Sequence, residues 1–263
     1  MSDTLQSAGS DDVQIVPPLH APIKRRSFFR YAGATALVLA GCDKDKDSPP
    51  PSISPTVDVG TGDTGVLNYA YALEQLEAAF YAQVLRGAYF TGLAATSAER
   101  QILADIALHE QIHADFFRSV LANNAIRQLT PDFSTIDFGQ RLSAGGKLGV
   151  LDAARAFEDL GVQAYNGAGR FITDPRNLVL AGKIVSVEAR HASLIRDLIT
   201  PNSFMGDISA GFTPDTLGND VIDRSLTSPT ARQEKSKLPA QVLAIVNTFL
   251  AADSKVTANG LVL

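Results

Sequence analysis

Two copies of the pattern Glu-x-x-His could bind metal ions: Glu110–His113 and Glu188–His191. On an α-helix, residues three apart project from the same face. Each unit therefore offers a carboxylate oxygen and an imidazole nitrogen to one point in space. Each unit is preceded by a segment with a Glu-x6-Tyr pair, and these pairs are Glu74 with Tyr81 and Glu158 with Tyr165. The order Glu, Glu-x-x-His, Glu, Glu-x-x-His is the ligand pattern of a two-metal carboxylate site inside a four-helix bundle.

The charges of this set predict that it binds two divalent ions. The six predicted metal ligands are Glu74, Glu110, His113, Glu158, Glu188 and His191. Four ionised carboxylates carry the charge that two divalent cations neutralise. Without metal, we expect the buried carboxylates to take up protons, because an uncompensated charge is costly to bury.

The use of glutamate argues against a chance pattern. The chain has 7 Glu and 4 His, and 5 of the 7 Glu lie in the constellation, counting Glu77. Asp is commoner, with 21 copies, yet it fills none of the six ligand positions. The alternative is that the Glu-x-x-His units are only polar contacts of the core.

An internal repeat separates the ligands from their neighbours. Residues 72–81 align with 156–165, and residues 110–118 align with 188–196. Glu74 then matches Glu158, whereas Glu77 matches Gly161. We therefore predict that Glu74 is a ligand and that Glu77 touches the ligands or acts as an optional fifth carboxylate.

Three further side chains are candidates near the metals. Tyr81 and Tyr165 follow Glu74 and Glu158 by two helical turns, so each phenol could hydrogen-bond to a ligand carboxylate. They could also relay single electrons, or be ordinary core aromatics. His109 lies one turn before His113 and is either a third imidazole at the metals or, more often in such a position, a partly exposed helix histidine.

These motifs resemble the ferritin-like superfamily over about residues 66–200. The similarity is greatest to exported bacterial ferritin-like proteins related to plant desiccation-related proteins. The resemblance implies an all-α four-helix bundle in which Glu74 and Glu158 are terminal ligands, Glu110 and Glu188 bridge the metals, and each histidine binds one metal. It also implies iron or manganese as cofactor, and oxygen or peroxide as partner. We therefore predict a di-metal oxidoreductase, for which oxidation of ferrous iron and removal of peroxide in oxidative stress are both open.

Apolar periodicity and capping residues predict the elements that position these groups. Helices are expected over 66–89, 96–123, 147–172 and 175–199, with Thr96 and Asp174 as N-caps. Residues 124–147 are broken by Gly and Pro and should form the long crossover between the second and third helices. Residues 201–263 should form a C-terminal extension with a short packing helix over 239–251. The expected core residues of the second helix are Ile102, Ile106, Ile112, Phe116 and Val120.

The N-terminus reads as a targeting segment. Arg25 and Arg26 precede a stretch over 31–41 that is apolar but too short to span a bilayer. The paired arginines resemble a twin-arginine export signal, and Leu39-Ala40-Gly41-Cys42 resembles a lipoprotein cleavage site. We expect residues 1–41 to be a signal peptide, Cys42 to carry lipid, and residues 42–65 to be a disordered tether. The protein would then be anchored in the cell envelope, in the periplasm or at the cell surface. The alternative is a chance basic and apolar segment with a buried cysteine.

Composition and charge limit the classes of partner and function that remain. The net charge is −5 and residues 42–263 contain no basic stripe, which argues against nucleic acid as a partner. A single Cys excludes an internal disulfide. A homo-oligomer is compatible with the sequence. The rival to a redox enzyme is a non-catalytic stress, desiccation-related or surface-interaction protein, in which the site is structural or a relic.

Overall fold

The computed structural model describes residues 56–204 and 235–262. Within them the chain forms β1 (Thr56–Asp58), α1 (Gly62–Val84), α2 (Ala88–Gly92), α3 (Ala98–Leu121), β2 (Ile136–Asp137), β3 (Leu148–Gly149), α4 (Val150–Ala168), α5 (Pro175–Ile199), α6 (Pro239–Val246) and β4 (Lys255–Thr257). The main contacts pair α1 with α3 and α4 with α5, and the two pairs meet through α1 with α4 and α3 with α5. The four long helices confirm the predicted all-α bundle.

Some helix boundaries differ from the predicted ones. The first helix begins at Gly62 rather than 66 and ends at Val84 rather than 89. Just beyond that end, a Cβ on Gly87 would lie 2.6 Å from the carbonyl oxygen of Phe138, so the crossover packs closely there. The N-cap of α3 is Ser97, not Thr96, and its side chain accepts a hydrogen bond from the Arg100 amide.

In the second half of the bundle, the start of α5 agrees with the prediction, whereas the bounds of α4 do not. Asp174 caps α5 and Pro175 is its first residue, as predicted. Helix α4 is shorter than predicted, running from Val150 to Ala168, because a 3-10 turn over Gly169–Phe171 replaces its last predicted turn.

The crossover and the C-terminal extension are tied to the bundle by short strands. Strand β2 lies in the middle of the crossover and pairs in parallel with β3, which lies at the end that leads into α4. Strand β4 pairs in parallel with β1. The predicted tether over 42–65 is therefore wrong from Thr56 onward, where Val57 and Val59 are buried. Local composition could not reveal this order, because the partner strand lies at the other end of the chain.

The extension covers the bundle on the side of α1 and α4. The rings of Phe157 and Phe249 are 4.9 Å apart, as are the rings of Phe80 and Phe157. The predicted helix over 239–251 ends at Val246 and gives way to a 3-10 turn over Asn247–Phe249.

The buried stripe of α3 differs from the predicted one. Ile112 and Val120 were expected in the core but are 52% and 45% exposed. The residues that face inward include Leu103, Ile106, Glu110, His113, Phe117 and Leu121. The stripe is hard to recognise from apolar periodicity because Glu110 and His113 occupy its middle.

Several predicted features lie outside the described residues: the signal peptide over 1–41, the lipidation site Cys42, and the tether as far as residue 55. Among the helices that the structure describes, none is long and apolar enough to cross a membrane.

Candidate metal centre

All four long helices contribute to one buried cluster. Helices α1 and α4 each supply one glutamate, and helices α3 and α5 each supply one Glu-x-x-His unit. The four carboxylates are fully buried, and the two imidazoles are 6% and 4% exposed. The structure thus brings together all six residues that the spacing selected as ligands: Glu74, Glu110, His113, Glu158, Glu188 and His191.

These residues form two overlapping groups, each able to hold one ion. In each group the potential ligand atoms lie within 4.8 Å of one another. His113 and Glu74 belong to the first group only, and His191 and Glu158 to the second only. The other two glutamates, on α3 and α5, belong to both groups, so their carboxylates are placed to reach both ions.

The Nδ1 atoms of the two histidines point into the cluster. His113 Nδ1 lies 3.2 Å from Glu74 Oε2 and 2.9 Å from Glu188 Oε1. His191 Nδ1 lies 2.7 Å from Glu110 Oε1 and 4.0 Å from Glu188 Oε2. Each imidazole therefore contacts the carboxylates through the nitrogen that would bind metal.

The atoms that converge in this cluster are better placed to bind metal ions than to form hydrogen bonds with one another. Eight buried atoms of this cluster make no hydrogen bond of acceptable geometry among the described residues, although the nearest nitrogen and oxygen are 2.7 Å apart. They are Glu74 Oε2, both carboxylate oxygens of Glu110 and of Glu188, Glu158 Oε2, and the Nδ1 atoms of His113 and His191. Buried polar atoms without partners are rare and costly in native proteins. Oxygen and imidazole donors in this arrangement suit divalent first-row metals.

The pKa values of the metal-free cluster also indicate that its buried carboxylates lack compensating positive charge. Burial raises the pKa of Glu74 to about 7, and it also raises the pKa values of Glu158 and Glu188. Burial opposes protonation of the imidazoles, but the surrounding carboxylates raise the pKa of His113 to about 12 and that of His191 to about 10. Protons thus take the place that cations would fill.

Two tyrosines connect the halves of the repeat. The Tyr81 hydroxyl donates a 2.5 Å hydrogen bond to Glu158 Oε1, and the Tyr165 hydroxyl donates to Glu74 Oε1. Each phenol therefore holds the glutamate of the other half. Burial raises the pKa of both phenols, which keeps them neutral donors.

Glu77 adds a fifth buried carboxyl beside the cluster. A Cβ on Gly161 would lie 3.3 Å from Glu77 Oε1 and 3.7 Å from Glu188 Oε2. The glycine that replaces glutamate in the second half of the repeat thus leaves the space that Glu77 occupies. Burial and the neighbouring carboxylates raise the pKa of Glu77 well above its usual range, so it is a neutral acid.

His109 contacts the cluster but belongs to neither group of potential ligands. Its Nδ1 lies 3.1 Å from His191 Nε2, the nitrogen that points away from the carboxylates. Its ring centroid is 4.8 Å from that of His113. His109 is therefore a neighbour of both imidazoles of the cluster, and it is only half-buried.

Sequence reasoning missed a buried ion pair next to the centre. Arg196 donates hydrogen bonds to both carboxylate oxygens of Asp159, and both side chains are buried. Arg118, which matches Arg196 in the repeat, is exposed instead. The available signal was that Asp159 directly follows the predicted ligand Glu158.

Comparison with known families supports this picture. Residues 62–201 match the family model described as "Ferritin-like domain". No curated protein matches the chain. The matched residues include all four long helices and all six residues of the cluster.

Proposed function

Because the chain belongs to the ferritin-like domain family, we propose that its six-residue cluster binds two ions of iron or manganese and reacts with dioxygen or peroxide. The observation that carries the proposal is the convergence of buried oxygen and nitrogen atoms from four helices, eight of which make no hydrogen bond of acceptable geometry among the described residues. Such a cluster is stable only when cations or protons compensate its charge.

The side chains of the centre have different proposed roles. Bound iron or manganese would supply the change of oxidation state that these side chains lack. Glu110 and Glu188 are placed to hold both ions, and the hydrogen bonds from Tyr81 and Tyr165 fix the two remaining carboxylates. In the absence of metal, burial and the neighbouring carboxylates raise the pKa of Glu77, which favours a proton on it next to Glu188. Burial keeps bulk water away from the reacting atoms.

Turnover by the full chain tests this function. Protein loaded with iron or with manganese is assayed for oxidation of added ferrous iron and for peroxide consumption. We expect one of these activities in the wild type and its loss in the Glu110→Ala, Glu188→Ala variant. An Asp105→Ala, Asp115→Ala variant is the control, since both acids are exposed on α3. Metal-loaded protein without either activity would instead indicate a non-catalytic helical protein in which the metals clamp the bundle.

We also propose that the protein is exported and anchored through lipid on Cys42. The support is the order of paired arginines, apolar stretch and Leu39-Ala40-Gly41-Cys42 in the sequence. Fractionation of cells that produce the wild type and Cys42→Ala provides the test, with Ser48→Ala as control. Wild type and the control should be found with membranes and Cys42→Ala in the soluble fraction. Membrane association of Cys42→Ala would refute the anchor.

A further inference from the structure

A small apolar pocket lies next to the candidate metal centre, between residues of all four long helices. About 20 Å³ of this pocket can hold the centre of a water-sized molecule. Its walls include Leu73 of α1, Phe117 of α3, Ala168 of α4 and Ala181 of α5. One water needs roughly 10–15 Å³ by this measure, so the pocket has room for a molecule of two heavy atoms.

Tyr165 connects this pocket to the centre. The residue lines the pocket and is half-buried, while its hydroxyl donates a hydrogen bond to Glu74. Leu73, another wall residue, directly precedes Glu74. A molecule in the pocket would therefore be separated from a ligand carboxylate by one side chain.

The wall composition indicates what kind of molecule would fit. Apart from two tyrosines, the lining side chains carry no polar atom. The hydroxyl of Tyr165 is already bonded to Glu74. The hydroxyl of Tyr69 is buried and has no hydrogen-bond partner among the described residues. A charged molecule would lose its hydration without replacement there. Hydrogen peroxide needs partners for two hydroxyl groups and would find one such group in this lining, the Tyr69 hydroxyl, whereas dioxygen needs none.

The pocket also has a side towards solvent. Leu67, Ile172 and Ala181 line it and are only half-buried, in contrast to the fully enclosed carboxylates of the centre. A small apolar molecule could thus pass from the surface to Tyr165 along an apolar path.

We propose that this pocket admits dioxygen to the metal centre by way of Tyr165. The inference rests on the proposed function, because dioxygen entering here would react at the metals. Occupation of the pocket does not itself require metal. The pocket and the function can therefore be tested separately.

Crystals of the full chain test occupation directly. They are pressurised with dioxygen or with xenon, a probe of apolar cavities, or soaked in hydrogen peroxide. We expect both gases, but not peroxide, to occupy the pocket beside Tyr165. Ala181→Leu should abolish this density by filling the wall, whereas Ala189→Leu, an exposed position on the same helix, should leave it unchanged. Absence of both gases from the wild-type pocket, or occupation by peroxide alone, would overturn the proposal.

Kinetics on the iron-loaded protein test the route. Ala181→Leu should raise the dioxygen concentration needed for half-maximal oxidation several-fold without lowering the maximal rate, and Ala189→Leu should change neither. Equal dioxygen dependence in the two variants would show that the pocket is only a packing void. A protein that fails to bind metal but holds both gases at Tyr165 would refute the proposed function and leave the dioxygen pocket standing.

Discussion

Nδ1 of His109 lies 3.1 Å from Nε2 of His191, on the side of that imidazole opposite the carboxylates. A ligand histidine commonly donates the hydrogen of its outer nitrogen to a neighbour, which fixes its tautomer and ring orientation. In the tautomer that carries no hydrogen on Nδ1, His109 can accept this hydrogen from His191.

Removing this acceptor should weaken metal binding. We expect His109→Leu to lower the affinity for one of the two ions by about 10- to 100-fold. His109→Asn should retain much of the affinity, because its amide oxygen can take the place of Nδ1. Chelator competition measures both variants. Equal affinity of His109→Leu and wild type would show that His109 does not orient His191.

The tyrosine hydrogen bonds should also support metal binding. Tyr81→Phe and Tyr165→Phe each leave one ligand carboxylate without its donor, so each should lower metal affinity by about tenfold. Tyr89→Phe is the matched control, because that hydroxyl donates to Glu99, which is not among the potential ligands. The same loss in all three variants would indicate a general effect on stability.

The convergence of the six cluster residues could be predicted from the sequence because each Glu-x-x-His unit is local to one helix and the repeat distinguishes Glu74 from Glu77. The crossed pairing of Tyr81 with Glu158 and of Tyr165 with Glu74 could not, since it depends on how α1 and α4 pack. The order of Thr56–Asp58 was hidden for the same reason, as its partner strand is distant in sequence. Ile112 was wrongly predicted to be buried, because the inward-facing stripe of α3 contains the polar residues Glu110 and His113.

Glu77 should make the metal-free protein less stable as the pH rises. Its pKa in the folded state is well above the usual 4.5, so folding requires uptake of a proton once the pH exceeds the unfolded value. Glu77→Gln removes this requirement. After chelation, the variant should be more stable than wild type at pH 8 and nearly equal to it at pH 4. Urea unfolding measures the difference, and an equal advantage at both pH values would contradict the assignment.

Removing only one partner of the buried ion pair between Asp159 and Arg196 should destabilise the folded protein. Arg196→Met leaves a buried carboxylate uncompensated and should lower the free energy of unfolding by about 3–5 kcal/mol. The double variant Asp159→Leu, Arg196→Met should recover much of this loss. Arg118→Met, at the exposed matching position of the repeat, should change stability by no more than about 0.5 kcal/mol. Additive losses in the double variant would show that the two side chains do not depend on each other.

The metal content of the purified full chain tests the central claim most directly. Protein produced with iron and manganese supplied is analysed for both elements, beside the Glu110→Ala, Glu188→Ala variant and the Asp105→Ala, Asp115→Ala control. We predict two ions per chain in the wild type and the control, and loss of both ions in the first variant, whose carboxylates belong to both ligand groups. A folded wild-type chain without bound metal, or equal metal content in all three proteins, would contradict the di-metal centre.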